Sequence, residues 1–217
     1  MAENEKSTAH KFDSIARIYN TPIFQLYYLW AHRACINFLK NNVKDDFKIL
    51  DIACGTGIFL KKIKQVKTNL QLFGIDNSEK MIATAEQYSN KINFKVSGAE
   101  KIPFEDNSFD LITIIDAFYY FQDKEAVLKE CGRTLKTDGH LFIFYPANDL
   151  FPKFILNQIW AASKFLFFNL EEYSEFLKVN EVKKMANTAN LELVFKKNKL
   201  MHRFILFKKM QNFKNYA

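Results

Sequence analysis

The residues Phe47 to Ile52 form a short apolar run, interrupted only by Lys48 and Asp51, that passes through Ala53-Cys54-Gly55-Thr56-Gly57 straight into apolar residues at helical spacing from Ile58 to Val66. A buried strand that turns on glycines and opens at once into a helix leaves that helix one place to go, back across the face of its own sheet. The pattern recurs along the chain. Leu70 to Ile75 reads as a second strand, followed by Asp76, an Asn77-Ser78 cap and a helix through Tyr88; Ile92 to Val96 alternates as a third. Phe109 to Ile115 is nearly uninterrupted in its apolar character, as a central parallel strand buried on both faces requires. Lys124 to Leu135 predicts a helix, and Thr137-Asp138-Gly139 a turn into a strand from His140 to Tyr145. Strands alternating with helices at this spacing predict an α/β, doubly wound, mostly parallel sheet.

Both ends depart from that rhythm. From Phe12 to Lys40 apolar residues recur at helical spacing, and Pro22 divides the stretch into two helices. Leu191 to Phe195 and His202 to Phe207 flank a Lys-Lys-Asn-Lys stretch and read as an antiparallel hairpin. Between sheet and hairpin lies a Phe-rich helical insertion over 148–180. With 217 residues and 48% hydrophobic content, one domain is expected. Its parts are an N-terminal helical cap (1–45), a cofactor-binding core (46–145), the insertion, and a closing helix with the hairpin (181–217).

The net charge of +7 raises the question of nucleic acid. Yet the only arginines are Arg17, Arg33, Arg133 and Arg203, and scattered lysines make a solvated surface, not the guanidinium clusters that grip phosphates and bases. Nucleic-acid binding is therefore not expected. Cys35, Cys54 and Cys131 match neither a disulfide framework nor a zinc spacing, and His10, His32, His140 and His202 share no ligand spacing, so no metal is expected. Reduced thiols and a polar N-terminus without an apolar signal core point to the cytoplasm. In the stretch from Phe151 to Leu170, Lys153, Asn157, Gln158, Ser163 and Lys164 interrupt any membrane span.

A lone glycine turn is a weak signal for a nucleotide. Three companions strengthen it. Asp76 ends the strand after the turn, where a carboxylate can accept ribose hydroxyls. Gly98-Ala99-Glu100 follows the third strand, where a loop can flank an adenine edge. The stretch from Pro103 to Asp110 leads into the fourth strand. All lie at strand carboxyl ends, the usual ligand crevice of such a sheet. A nicotinamide-binding fingerprint is not met, because Leu60 stands where its third glycine belongs.

The segments DIACGTG, GIDNSEKMI, GAEKIPFEDNSFDLITIIDAFYYF and LKTDGHLFIF resemble successive motifs of class I S-adenosylmethionine-dependent methyltransferases, nearest to the group of the ubiquinone/menaquinone-biosynthesis methyltransferases. FDSIARIYN resembles the N-terminal helix that closes over the cofactor there. The resemblance spans about residues 12–145 and implies a Rossmann-like, seven-stranded sheet with an antiparallel last strand pair. It implies S-adenosylmethionine as cofactor, with its methionine part against Asp51, Ala53, Gly55 and Gly57, Thr56 also among the cofactor-binding residues, and its ribose on Asp76. Asn77 and Met81 would border the adenine, Ala99 and Glu100 would cover its edge, Asp116 would sit near the amino group or the acceptor, and Tyr19 would approach from the N-terminal helix. Phe118-Tyr119-Tyr120 stand where many relatives carry histidines, which counts against a His-dependent proton transfer at that place.

Plainer readings stand beside these. Asp51 could cap the turn; Asp76 could cap the next helix, although Ser78 is placed to do so; Cys54 in a glycine turn reads as a space-filler. Tyr119, Tyr120 and Phe121 read equally as packing or as faces for a cation, and Asp116 is the best-placed carboxylate for a base. The insertion, with Phe165, Leu166, Phe167 and Phe168, reads as a lid helix, or as an apolar acceptor pocket or membrane-surface contact for a lipid or quinone. The partner expected is therefore a small apolar acceptor, with peripheral contact at the inner membrane surface on the second reading. A non-catalytic cofactor-binding protein and an RNA methyltransferase are the alternatives.

Overall fold

The computed structural model describes residues 46–88, 91–146, 178–199 and 202–211, and before them Asp13, Ala16, Asn20, Thr21, His32, Arg33, Cys35, Ile36, Asn37, Leu39, Lys40 and Val43. The elements with defined bounds are β1 (Lys48–Ile52), α1 (Ile58–Val66), β2 (Gln71–Asp76), α2 (Glu79–Tyr88), β3 (Asn93–Val96), β4 (Phe109–Ile115), a 3-10 turn (Phe118–Tyr120), α3 (Lys124–Thr134), β5 (Leu135–Pro146), α4 (Val179–Thr188), β6 (Leu191–Lys199) and β7 (His202–Lys209). The strands form one seven-stranded sheet in the order β3-β2-β1-β4-β5-β7-β6. The first five pair in parallel, and β7 runs antiparallel to both neighbours. The expected mostly parallel, doubly wound sheet with an antiparallel C-terminal pair is the one found.

Apolar periodicity explains the layers. One face of the sheet packs Val127, Leu128 and Cys131 of α3 and Val182 and Ala186 of α4 against Leu50, Ile112, Leu141 and Ile205. The other packs Phe59, Leu60 and Ile63 of α1, with Cys35 and Leu39, against Ile49, Leu111, Phe142 and Phe204. Ile49, Leu50, Ile112 and Ile114 in β1 and β4 are fully buried, as a strand covered on both faces must be. No helix among the described residues is long and apolar enough to cross a membrane.

Two boundaries differ from the sequence reading by more than two residues. The strand expected from His140 begins at Leu135, which pairs with Phe109; the register then shifts and resumes at Leu111 with His140. The expected turn at Thr137-Asp138-Gly139 lies within the shift, with Asp138 at φ 64°, so turn chemistry makes a bulge inside a strand instead of starting one. The strand expected to end at Phe195 continues to Lys199, with Lys196 to Lys199 paired against Ile205 to His202. Lysines there look like a loop in the sequence, but an edge strand accommodates them readily. The insertion lies outside the described residues up to Leu177, as does most of the N-terminal cap.

Arg133 fixes the loop between β3 and β4. Its guanidinium donates to Glu130 (2.7 Å), to Asp106 (2.8 Å) and to the carbonyls of Phe104 and Ile102. The Glu130 and Asp106 carboxylates raise its pKa further, while the Arg133 hydrogen bond lowers that of Glu130. The planar fork thus ties a loop without secondary structure to the C-terminal end of α3.

Candidate cofactor site

At the carboxyl end of β1 the chain leaves the sheet through residues in the left-handed region, Ala53 (φ 56°), Gly55 (φ 53°) and Gly57 (φ 71°). Gly57 has two reasons to be glycine. Its φ is strained for any L side chain, and a Cβ there would stand 2.6 Å from Phe94 Cζ. Gly57→Ala is expected to cost about 1–3 kcal/mol. Urea denaturation measures it, and pairing the change with Phe94→Ala should recover only part of the loss, because the backbone strain remains.

The turn is held by a carboxylate on the neighbouring strand. Asp76, at the end of β2 and 8% exposed, accepts the Gly55 N–H at one oxygen (2.9 Å) and the Ser78 N–H at the other (2.9 Å). It is not the cap of α2; that role falls to Ser78, whose hydroxyl accepts the Met81 N–H at 3.1 Å. Burial raises the Asp76 pKa, the two N–H bonds oppose the rise, and Asp13 adds to it. Asp51, the penultimate residue of β1 and 3% exposed, accepts from Thr113 Oγ1 of β4 at 2.6 Å. Burial pushes its carboxyl up to about 7, the Thr113 bond works against that, and the Asp76 charge adds to it.

Two further contacts bring the N-terminal stretch to this place. Ser78 Oγ donates to Asp13 Oδ1, and Thr56 Oγ1 donates to Asn20 Oδ1, both at 2.5 Å. Asp13 is thereby tied to the start of α2 and Asn20 to the glycine turn; Tyr19 itself lies outside the described residues. Sequence reasoning singled out neither, although both sit in the FDSIARIYN segment. It also passed over Thr113, whose signal is a lone hydroxyl inside an apolar strand.

The remaining expected residues line the same end of the sheet. Asp116 follows β4, buried and at φ 56°, and its N–H is held by the Phe144 carbonyl at 2.8 Å. Tyr119 and Tyr120 are half-buried in the adjoining 3-10 turn, ring centroids 4.3 Å apart. Ala99 is buried and Glu100 half-buried beyond β3, and Met81 is buried in α2, whereas Asn77 is exposed. Cys54 is buried in the core that packs against α1. Burial, with the Asp76 and Asp51 charges, raises its thiol pKa well above the ordinary value, and its sulfur lies 2.8 Å from where a Gly74 Cβ would be.

Chemically the carboxyl ends of the strands supply two buried carboxylates and small residues in the left-handed region that let a ligand approach the backbone, with two phenol rings in the 3-10 turn after β4. Such a set suits a ligand carrying both hydroxyls and positive charge, because a cation lowers the cost of ionising Asp51. S-adenosylmethionine, with ribose hydroxyls, an ammonium and a sulfonium, fits that description.

Comparison with known proteins agrees. The profile of the methyltransferase domain family matches residues 50–143. The demethylmenaquinone methyltransferase of Thermotoga maritima is 37% identical over 135 residues, 62% of this chain and 56% of the relative. The ubiquinone/menaquinone biosynthesis C-methyltransferase UbiE of Geotalea daltonii is 30% identical over 165 residues, 72% of this chain and 68% of the relative. The chain spans about half the length of several curated relatives it matches, 51% for UbiE of Campylobacter jejuni. In fold, it resembles the PH0226 protein of Pyrococcus horikoshii with a TM-score of 0.68 at 21% identity, over 88% of this chain and 93% of that one. By sequence motif, sheet order and relatives alike, the chain belongs to the class I S-adenosylmethionine-dependent methyltransferases, within the group of the ubiquinone/menaquinone-biosynthesis methyltransferases.

Proposed function

We propose that this protein transfers a methyl group from S-adenosylmethionine to a small apolar acceptor of the quinone or lipid class. The observation that carries the cofactor half is the Asp76 carboxylate clamped between the Gly55 and Ser78 N–H groups, which leaves it oriented toward the glycine turn. The names of the relatives, one of which acts on demethylmenaquinone, support the acceptor class.

The cofactor supplies a methyl on a sulfonium, an electrophile that needs no further activation. What the chain contributes is position and the exclusion of water, worth up to about 7–11 kcal/mol in well-oriented cases. Asp76 accepts the ribose hydroxyls through lone pairs that its two N–H donors leave available. Asp51 in its ionised form balances the ammonium. The faces of Tyr119 and Tyr120 suit a neighbouring cation, at about 0.5–2 kcal/mol each. Asp116 takes the proton that a carbon or hydroxyl acceptor must lose. The Asp13–Ser78 and Asn20–Thr56 bonds hold those two residues at the carboxyl ends of β1 and β2, where they limit the entry of water.

Radiolabelled S-adenosylmethionine with a reduced, unmethylated isoprenoid quinone should yield label in the organic extract. Cofactor binding with no transfer to any quinol or lipid would leave the non-catalytic reading. Transfer to RNA with a steep salt dependence would establish the RNA reading. Because Asp51 must ionise to receive a cation, affinity for the cofactor should weaken by about tenfold per pH unit below 7. Affinity that stays flat between pH 5 and 7 would remove Asp51 from the ammonium site.

A further inference from the structure

The positive charge of this chain has one address. Residues 178–209 carry nine lysines and arginines against two acidic residues, so these 32 residues hold the entire +7, and the other 185 are balanced. Within that segment Arg203 and Lys209 are buried and Lys208 pairs with Asp138 at 2.7 Å, whereas Lys183 and Lys184 on α4 and Lys196 and Lys197 on β6 are exposed. Side by side with the last two, Val194 and Phe195 are 46% and 51% exposed, among the few large apolar side chains on the described surface.

Their setting is the outer edge of the sheet, since β6 is the terminal strand beyond β7. The register shifts between Leu193 and Phe195, leaving Val194 as the bulged residue. Beyond it Phe195 stands opposite Leu206 and Lys197 opposite Phe204, while Lys196 stands opposite Ile205 on the other face. The edge thus offers an apolar tip with a lysine to each side, and α4, packed against β6, adds two more. Lysines on an edge strand ordinarily ward off pairing with other strands. An exposed Phe-Val pair beside them has the opposite tendency. Apolar side chains entering a headgroup layer while lysines meet its phosphates reconcile the two.

Orientation adds a third observation. Because β7 is antiparallel to both β5 and β6, β6 runs parallel to β5, and from Phe195 to Lys199 it climbs toward the sheet end that carries Asp51, Asp76 and Asp116. We propose that the β6 edge, through Val194, Phe195, Lys196 and Lys197, seats the protein on an anionic lipid surface with its acidic crevice end reachable for a membrane-dissolved acceptor. This deepens the apolar-acceptor reading, on which its purpose rests. Vesicle binding, however, is measured without any methyl transfer, so the two readings fail separately.

The test is co-sedimentation of the full chain with vesicles of phosphatidylglycerol and phosphatidylcholine, and with phosphatidylcholine alone. The wild type should bind the anionic vesicles, release them at high salt and ignore the neutral ones. Lys196→Gln with Lys197→Gln should lower the partition coefficient by about 30-fold. Phe195→Ser should weaken binding at low salt while leaving its dependence on salt concentration unchanged. Both variants should keep the wild-type affinity for S-adenosylmethionine, which shows that they fold. Failure of the wild type to bind anionic vesicles would overturn the proposal, as would variants that bind like the wild type. So would a wild type that ignores vesicles but binds a single-stranded RNA oligonucleotide through the same two lysines; the lysines would then belong to a nucleic-acid surface. Equal binding to neutral vesicles would overturn the electrostatic part.

Discussion

Asp76→Ala should abolish measurable S-adenosylmethionine binding and at the same time lower the stability of the unliganded protein. Two opposed contributions decide the second effect. The substitution relieves the cost of keeping an ionised carboxylate buried, a cost visible in the raised pKa of Asp76. Against that, it strands the Gly55 and Ser78 N–H groups, each now accepted at 2.9 Å, inside a buried turn. An unsatisfied buried N–H costs about 1–3 kcal/mol. Two of them outweigh the relief, and a net loss of about 2–4 kcal/mol is expected. Calorimetric titration should show affinity falling by at least about 100-fold, since both the hydroxyl acceptor and the geometry of the turn go together. Thermal unfolding should show a lower Tm. A variant that binds normally would remove Asp76 from the site, and normal binding with unchanged stability would also deny its role in the turn.

Asp51→Asn is expected to move the two properties in opposite directions. The Asp51 carboxyl, ordinarily near 3.8, is raised to about 7 in the fold. Below pH 4 it is protonated in both folded and unfolded chains and contributes nothing to their difference. As pH rises toward 7 the unfolded chain loses the proton and the folded one keeps it, so stability falls; above 7 both are ionised and the loss levels off. The full shift corresponds to about 4 kcal/mol at 1.36 kcal/mol per unit. Asparagine keeps the acceptor for Thr113 but buries an amide of its own, so a gain of about 1–3 kcal/mol is expected at pH 8 and none at pH 4. Urea denaturation at the two pH values measures it. The same variant should bind the cofactor weakly, having no charge to set against the ammonium. Thr113→Val supplies the control: with the hydroxyl gone, the pH at which stability levels off should move higher. An Asp51→Asn protein less stable than wild type at pH 8 would contradict this account.

The strongest signals in the sequence were those that a strand's burial imposes locally. Phe109 to Ile115 must be central because only a strand covered on both faces tolerates so unbroken an apolar run, and the glycines of Gly55-Thr56-Gly57 marked a tight turn, found with φ of 53° and 71°. The strand ends, the glycine turn and Asp76 followed from the same logic. Hence the parallel core, its hairpin and the crevice between strand ends were legible from sequence, and the motif resemblance named the cofactor.

Other features depended on which residues meet across the fold. Thr113 lies 62 positions from Asp51 and Asp13 lies 65 positions from Ser78, and no periodicity reports such a pairing. The bulge after Leu135 and the extension of β6 through Lys199 were decided by the neighbouring strands, whose hydrogen-bonding edges recruit residues that local propensity assigns to turns. Most of all, the raised pKa of Asp51 is a property of no residue alone. The sequence determined that a carboxylate ends β1. Only the tertiary structure, by burying it beside Asp76 and giving it one hydroxyl in return, decided that its proton is exchanged near neutral pH.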